Sequence, residues 1–195
     1  MTNKTNIIGI TGPIACGKNE VCRIMQRYGA YVIDVDRVGH EVLKQRPLLK
    51  RLIAAFGDKI LGRGGQINRR SLGAIVFGNK KLLAKLNRVS HPAILNDVAK
   101  KIKNTDKKRV VINAAVLKEI GLSKYCDQIW LVASSRPNRI KRLLNKGLGN
   151  KEILSRIRSQ RTFADYRKEA DLIINNNGSR SDLAKKVGKL ISRYL

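Results

Sequence analysis

The sequence predicts an α/β fold: a parallel sheet flanked by helices, with a helical lobe inserted after the second strand and a lid in the C-terminal half. Three observations predict it. The first 36 residues read strand, glycine-rich turn, helix, strand. Short apolar runs then recur down the chain and alternate with stretches of helical periodicity, the pattern of a parallel sheet covered on both faces. The helical stretch between the second and third apolar runs is too long for a simple crossover, which makes it an inserted lobe.

In chain order, "NIIGIT" is a short buried strand ended by Gly12. Lys18 to Tyr28 places Val21, Ile24, Met25 and Tyr28 on one helical face, and Gly29 stops it. "AYVIDVD", Ala30 to Asp36, is a second strand ending in two carboxylates. From Arg37 to about Lys103 the pattern is helical: "RVGHEVL", then Leu48 to Phe56 behind Pro47, Arg70 to Phe77, and Lys80 to Lys103. Pro92 should kink or end the last of these, because proline has no N–H to donate and its ring crowds the preceding turn. "RVVIN" (Arg109 to Asn113) and "QIWLVA" (Gln128 to Ala133) return to buried-strand character. Helices over Arg136 to Asn145 and Lys151 to Gln160 follow, then the short strand "DLIIN". The closing helix carries Leu183, Val187, Leu190, Ile191 and Tyr194 on one face. The expected organisation is a single domain with a core over residues 1–36 and 106–195, a lobe over about 37–105 and a lid over about 136–165.

At 195 residues and 43% hydrophobic content, the chain can bury one sizeable core. No stretch approaches the ~20 apolar residues that cross a bilayer. The opening apolar segment is too short for a secretory signal and reads as the first strand. A cytoplasmic protein with no membrane partner, monomeric or a small oligomer, is the simplest reading. Cys16, Cys22 and Cys126 show no paired-ligand spacing, and an odd number suits a reducing compartment. Cys22 lies on a helical apolar stripe, and Cys16 fills a small-residue place in the glycine-rich turn.

Charge is the unusual bulk feature. The 41 Lys and Arg against 14 Asp and Glu give +27, enough to draw nonspecific polyanion binding. A nucleic-acid partner is therefore a second class of reading. Against it, aromatics are 5% and do not recur among the basic residues as stacking platforms. No zinc-finger spacing or RNP-like motif is present either. Compositional bias on solvated faces accounts for the excess equally well.

"GPIACGKN", Gly12 to Asn19, matches the phosphate-loop pattern G-x-x-x-x-G-K-[ST] at every position but the last. In such a loop backbone N–H groups turn inward, the helix N-terminus adds partial positive charge, and the lysine reaches the β and γ phosphates. Its place after a buried strand and before an amphipathic helix is the context the motif needs. The bland alternative is a tight glycine turn with a surface lysine. Asp34 and Asp36 end the neighbouring strand at the edge where open α/β sheets bind ligands. In phosphoryl transfer an Asp can accept the proton of the attacking hydroxyl or help to hold the metal. Arg136 to Lys168 contains eleven Lys and Arg against two acids, Glu152 and Asp165, a density that suits a phosphate-clamping lid. Most of the eleven are expected on solvated faces, with Arg142 and Lys146 the candidates for phosphate contact. His91, beside Pro92, reads by itself as a packed or capping residue.

Taken together, "IIGITGPIACGKNEV", "YGAYVIDVDRVGHEVL", "GGQINRRSLGAIVF", "LNRVSHPAI", "VINAAVLKEIGL", "RIKRLLNK" and "RSQRTFADYRKEADLIINNNGS" resemble the dephospho-coenzyme A kinase family over nearly the whole chain. The resemblance implies a P-loop kinase-like fold and transfer of the ATP γ-phosphate to the ribose 3′-hydroxyl of dephospho-CoA, with Mg²⁺ as cofactor. It implies ATP contacts from Gly12, Pro13, Ile14, Ala15, Cys16, Gly17, Lys18, Asn19 and Glu20, and from Lys146. It makes Lys18, Asp36 and Arg142 catalytic: Lys18 steadies the phosphates, Asp36 is the general base, and Arg142 is the lid arginine. Asp34, Arg69, His91 and Glu119 would line the substrate side, and Asn19 would meet the metal.

The chain also departs from the family's pattern. Asn19 replaces a hydroxyl residue, Glu20 a second Ser or Thr, and Pro13 a glycine. Asn113 stands where the family tends to have Asp, Ala115 where it has Pro, Lys118 where it has an aromatic residue, and Lys146 and Gly147 where it has Arg and an acid. Two other readings follow from these departures. One is a catalytically weakened relative that binds nucleotide, coenzyme or RNA; the retained Lys18, Asp36, Arg142 and Glu119 argue against it. The other is a different small-molecule kinase, disfavoured by "HP" and "EADLIINNNG".

Overall fold

Strands β1 (Asn6–Thr11), β2 (Tyr31–Asp34), β3 (Arg109–Asn113), β4 (Gln128–Ala133) and β5 (Leu172–Asn175) form one sheet, all pairs parallel, in the order β2-β3-β1-β4-β5. The computed structural model describes residues 5–76 and 78–194. Helices α1 (Lys18–Arg27), α2 (Val35–Val42), α3 (Arg46–Phe56), α4 (Arg69–Val76) and α5 (Lys80–Lys103) lie between β1 and β3 in the chain, with β2 following α1. The remainder are α6 (Leu117–Ile120), α7 (Arg136–Leu144), α8 (Asn150–Arg158), α9 (Phe163–Arg167) and α10 (Arg180–Tyr194). The parallel sheet with flanking helices is the architecture the sequence predicts.

The strands read as continuous apolar runs because both sheet faces are covered. On one face Ile8, Ile10, Val111, Trp130, Val132 and Ile174 pack with Val21, Ile24 and Met25 of α1 and with Leu183, Val187 and Ile191 of α10. Alternate residues serve the other face, where Leu131 packs with Tyr166 and Ala170. The α10 stripe is as the spacing predicts, with Leu190 and Tyr194 packed against the core as partly buried residues. On α1 Cys22 is buried, as its place on the stripe predicts, whereas Tyr28, expected on the same face, is the C-cap and 50% exposed.

The chain divides into two compact units, one made of the described residues up to Asp34 and from Thr105 onward, the other Val35–Asn104. In the second unit α5 packs against α2, α3 and α4, with Val38, Val42, Leu52, Leu72, Ile94 and Val98 buried.

Two expectations are corrected here. The second strand stops at Asp34, so Asp36 lies in the first turn of α2 and not at a strand end. Val35, Val38 and Val42 are all buried, a spacing of three and four; the overlapping alternation in "VIDVD" imitates a strand and hides it. Second, α5 does not end at Pro92 but continues through it for its full 24 residues. The proline withholds one backbone donor, but Ser90 on one side and Ile94 and Val98 on the other are buried, so packing on both sides holds the helix. Two short helices, α6 and α9, fall in stretches to which the sequence pattern assigns no element; α9 has five residues and rests on a Thr162–Asp165 capping box, too short to show a period. At the edges, α3 begins at Arg46 with Pro47 in its first turn, and α4 begins at Arg69. Phe77, expected to end that helix, lies outside the described residues. No described helix is long and apolar enough to cross a membrane.

Candidate active site

The loop from Gly12 to Gly17 joins β1 to α1 at the carboxyl edge of the sheet, where β1 is flanked by β3 and β4. Connections depart to opposite sides there, which makes it the ligand-binding crevice of such sheets. Both motif glycines are sterically required. Gly12 has φ +143 and an added Cβ would meet Val132 O at 2.4 Å; Gly17 has φ +104 and its Cβ would meet Asn176 Nδ2 at 2.1 Å. Lys18 Nζ donates to the carbonyls of Gly12 at 2.8 Å and Pro13 at 3.3 Å, so its ammonium is folded over the loop. Cys16 is fully buried, and burial pushes its thiol above the ordinary range, which suits packing and not nucleophilic chemistry. Glu20 lies in the first turn of α1 and pairs with Arg23 at 2.9 Å.

The loop is held from behind by residues remote in sequence. Arg142 Nη1 donates to Ala15 O at 3.0 Å, to Cys16 O at 3.1 Å and to Ser134 Oγ at 3.3 Å, while its Nη2 donates to Asn176 O at 2.8 Å. Asn176, just past β5, donates through Nδ2 to Cys16 O at 2.8 Å. A trans peptide directs its C=O and N–H to opposite sides. Drawing the Cys16 carbonyl outward therefore aims the Gly17 N–H the other way, the arrangement that lets successive N–H groups meet an anion. Lys146 is exposed and lies just past the end of α7.

At the ends of β2 and β3 three polar side chains meet. Asn113 Nδ2 donates to Asn19 Oδ1 at 3.0 Å and to Asp34 Oδ2 at 3.4 Å. Asn113 is buried, and its Oδ1 has no partner. Further along, Arg161 pairs with Glu119 at 3.1 Å and binds both oxygens of Glu169. Lys118 pairs with Glu169 at 3.5 Å. The Arg161 guanidinium holds the Glu169 carboxyl below the usual carboxylate range. Asp36, Arg69 and His91 belong to the second unit. There Asp36 and Arg69 are exposed, His91 is half-buried on α5, and Arg69 lines a cavity of about 80 Å³ with His40, Lys44 and Gln66.

A sequence model of dephospho-CoA kinases matches residues 6–182. The chain belongs to the dephospho-CoA kinase family. A dephospho-CoA kinase of Dehalococcoides mccartyi is 36% identical over 193 residues, covering 97% of this chain and 98% of that protein. Among solved structures, a Thermus thermophilus protein matches with a TM-score of 0.83 at 27% identity, over 98% of this chain and 99% of that one. The dephospho-CoA kinase from Campylobacter jejuni matches in fold with a TM-score of 0.64 at 24% identity, over 97% of each chain.

In this dephospho-CoA kinase-family chain, two of the departures from the family's pattern, Asn19 and Asn113, touch each other. A third, Lys118, contributes to the ion pairs around Glu169. The donors at this edge fit the Mg²⁺ that accompanies ATP in P-loop kinases. Asn113 Oδ1 is an orphaned hard oxygen, and Asn113 also touches the Asp34 carboxylate and the Asn19 amide. Among the described residues no group of three or more His, Cys, Asp or Glu could hold a metal alone. Sequence reading misses Asn113, Asn176, Arg139, Gln160 and Arg161 as site residues. The asparagine run after β5 was a usable signal for Asn176, since it stands at the binding edge; the basic residues offered none that singled them out from their neighbours.

Proposed function

We propose that ATP binds along Gly12 to Glu20 with its phosphates at the N-terminus of α1, and that its γ-phosphoryl group passes to the ribose 3′-hydroxyl of dephospho-CoA. Phosphorylation of dephospho-CoA, the last step of coenzyme A synthesis, is the reaction of the family, and this chain is a kinase of that step. The observation that supports the site assignment is the loop itself, gripped at its carbonyls by Arg142 and Asn176 so that N–H groups are turned to the opposite side.

In the proposed reaction the 3′-oxygen attacks the γ-phosphorus, the bond from that phosphorus to the β,γ-bridging oxygen breaks, and ADP leaves. The hydroxyl proton passes to the Asp36 carboxylate. Lys18 exchanges the carbonyls of Gly12 and Pro13 for phosphate oxygens. Arg142 acts through the loop backbone, and Lys146 supplies a cation from beyond α7. Asp34, Arg69, His91 and Glu119 serve the coenzyme. Asn19, with Asn113 beside it, would hold a Mg²⁺ bound with the nucleotide or its waters, and that ion would offset phosphate charge. A 3′-hydroxyl is a weak nucleophile, so positioning and charge neutralisation supply most of the acceleration. Three free cysteines support a cytoplasmic setting. A coupled assay with ATP, Mg²⁺ and dephospho-CoA tests the reading, with the product identified as coenzyme A by mass. Binding of both substrates without any ADP release would overturn it.

A further inference from the structure

Ile14, inside the phosphate loop, is gripped at both ends of its own backbone by side chains outside the motif. Its N–H donates to Gln160 Oε1 at 2.8 Å, and its carbonyl accepts from Arg139 Nε at 2.8 Å. Arg139 Nη2 also donates to Gln160 Oε1, at 3.4 Å, which closes the three groups into a ring. The orientation of the Gln160 amide is unambiguous, because both neighbours are donors and only its oxygen can accept from them. Arg139 lies on α7, one turn before Arg142, and Gln160 lies two residues beyond α8.

The consequence for the loop follows from peptide geometry. Arg139 draws the Ile14 carbonyl outward, so the N–H of Ala15 is directed to the opposite side. Arg142 does the same at Ala15, and Arg142 with Asn176 at Cys16. Three successive carbonyls are thus held from behind. Ala15, in the middle, has φ +60, and it is the one non-glycine residue with positive φ among the described residues. A side chain in that region is disfavoured by its own backbone, so external partners must hold it there.

We propose that Arg139 and Gln160 are positioning residues for ATP, which set the phosphate loop's shape through the Ile14 peptide. The proposal rests on ATP binding at this loop. It predicts that nucleotide affinity depends on two side chains engaged with the loop backbone and with each other.

Calorimetric titration of ADP and, separately, of dephospho-CoA into the wild type, Arg139→Ala, Arg139→Lys and Gln160→Leu tests it. Arg139→Ala and Gln160→Leu should each weaken ADP on the order of tenfold, the usual scale for losing a charge-assisted or buried hydrogen bond, and leave dephospho-CoA affinity within about twofold. Arg139→Lys, which keeps one donor for the Ile14 carbonyl, should recover part of the loss. In steady state the KM for ATP should rise while that for dephospho-CoA holds. ADP affinity unchanged in both Arg139→Ala and Gln160→Leu would overturn the proposal. So would a parallel loss of both ligands, which marks a general structural role. Failure of the wild type to bind ADP would instead overturn the nucleotide reading, and it is seen without any substitution.

Discussion

Asn19 and Asn113, 94 residues apart in the chain, meet side chain to side chain, Asn113 Nδ2 donating to Asn19 Oδ1 at 3.0 Å. Each departs from the residue that the family's pattern leads one to expect. The same Nδ2 reaches the Asp34 carboxylate at 3.4 Å, a group that accepts and cannot donate when ionised. A carboxylate at 113 would face both the amide oxygen of Asn19 and the charge of Asp34, an arrangement that is repulsive unless a cation intervenes. The two departures therefore form one adjustment: an amide pair that holds the ends of β2, β3 and the phosphate loop together without added charge.

The pair predicts non-additive magnesium dependence. Asn19→Ser alone removes the nearer of the two acceptors of Asn113 Nδ2, and Asn113→Asp alone places like charges together. The double variant should lower the Mg²⁺ concentration for half-maximal rate several-fold, by more than the two single changes combined. ADP affinity measured without metal should change little, since the loop's backbone donors and Lys18 do not depend on residue 19. Single-variant effects that add to the double-variant effect would sink the coupling.

Asp36→Asn should reduce transfer by roughly 10²–10⁴-fold, the usual contribution of a general base, with ADP binding nearly intact. Asp34→Asn should be milder, because Asp34 is already engaged by Asn113. Near-wild-type turnover in Asp36→Asn would remove Asp36 from the role of base.

The Arg161–Glu169 pair predicts an acid-sensitive increment of stability. Arg161 lowers the folded-state pKa of Glu169, so the pair's contribution is complete above the ordinary carboxylate pKa of about 4.3 and fades as pH falls through the lowered folded value. Glu169→Gln should melt below the wild type by ~2–4 °C at pH 7, corresponding to about 1 kcal/mol. The gap should narrow steadily in acid. A gap that stays constant down to pH 3 would assign the effect to packing.

Thiol chemistry reports on the closure of the loop. Burial raises the thiol of Cys16 and pushes those of Cys22 and Cys126 up to about 12. Labelling of the folded protein at neutral pH should run at least about a hundredfold slower than that of an ordinary exposed thiol, and all three should react in denaturant. Rapid labelling of Cys16 in the folded protein would mean that the loop opens readily.

Much of this protein was legible along the chain. Buried runs such as "RVVIN" and "QIWLVA" become strands because residues covered on both faces leave a short-range signal, and the stripe of α10 survives as Leu183, Val187 and Ile191. The glycine spacing of "GPIACGKN" carries its own steric reason, visible at Gly12 and Gly17. Where two local signals overlap, as at Asp36, the chain alone points the wrong way, and where packing outweighs one lost hydrogen bond, as at Pro92, a proline does not end its helix. The partners of the loop lie beyond any local pattern: Arg139 is 125 residues from Ile14, Gln160 is 146 residues away, and Asn176 is 160 from Cys16. Those contacts exist because the sheet order sets β4 beside β1 and β5 beyond β4, and brings the chain after them back to the loop. Side-chain periodicity is a property of a few neighbouring residues, whereas a hydrogen bond across the fold needs every intervening element in place.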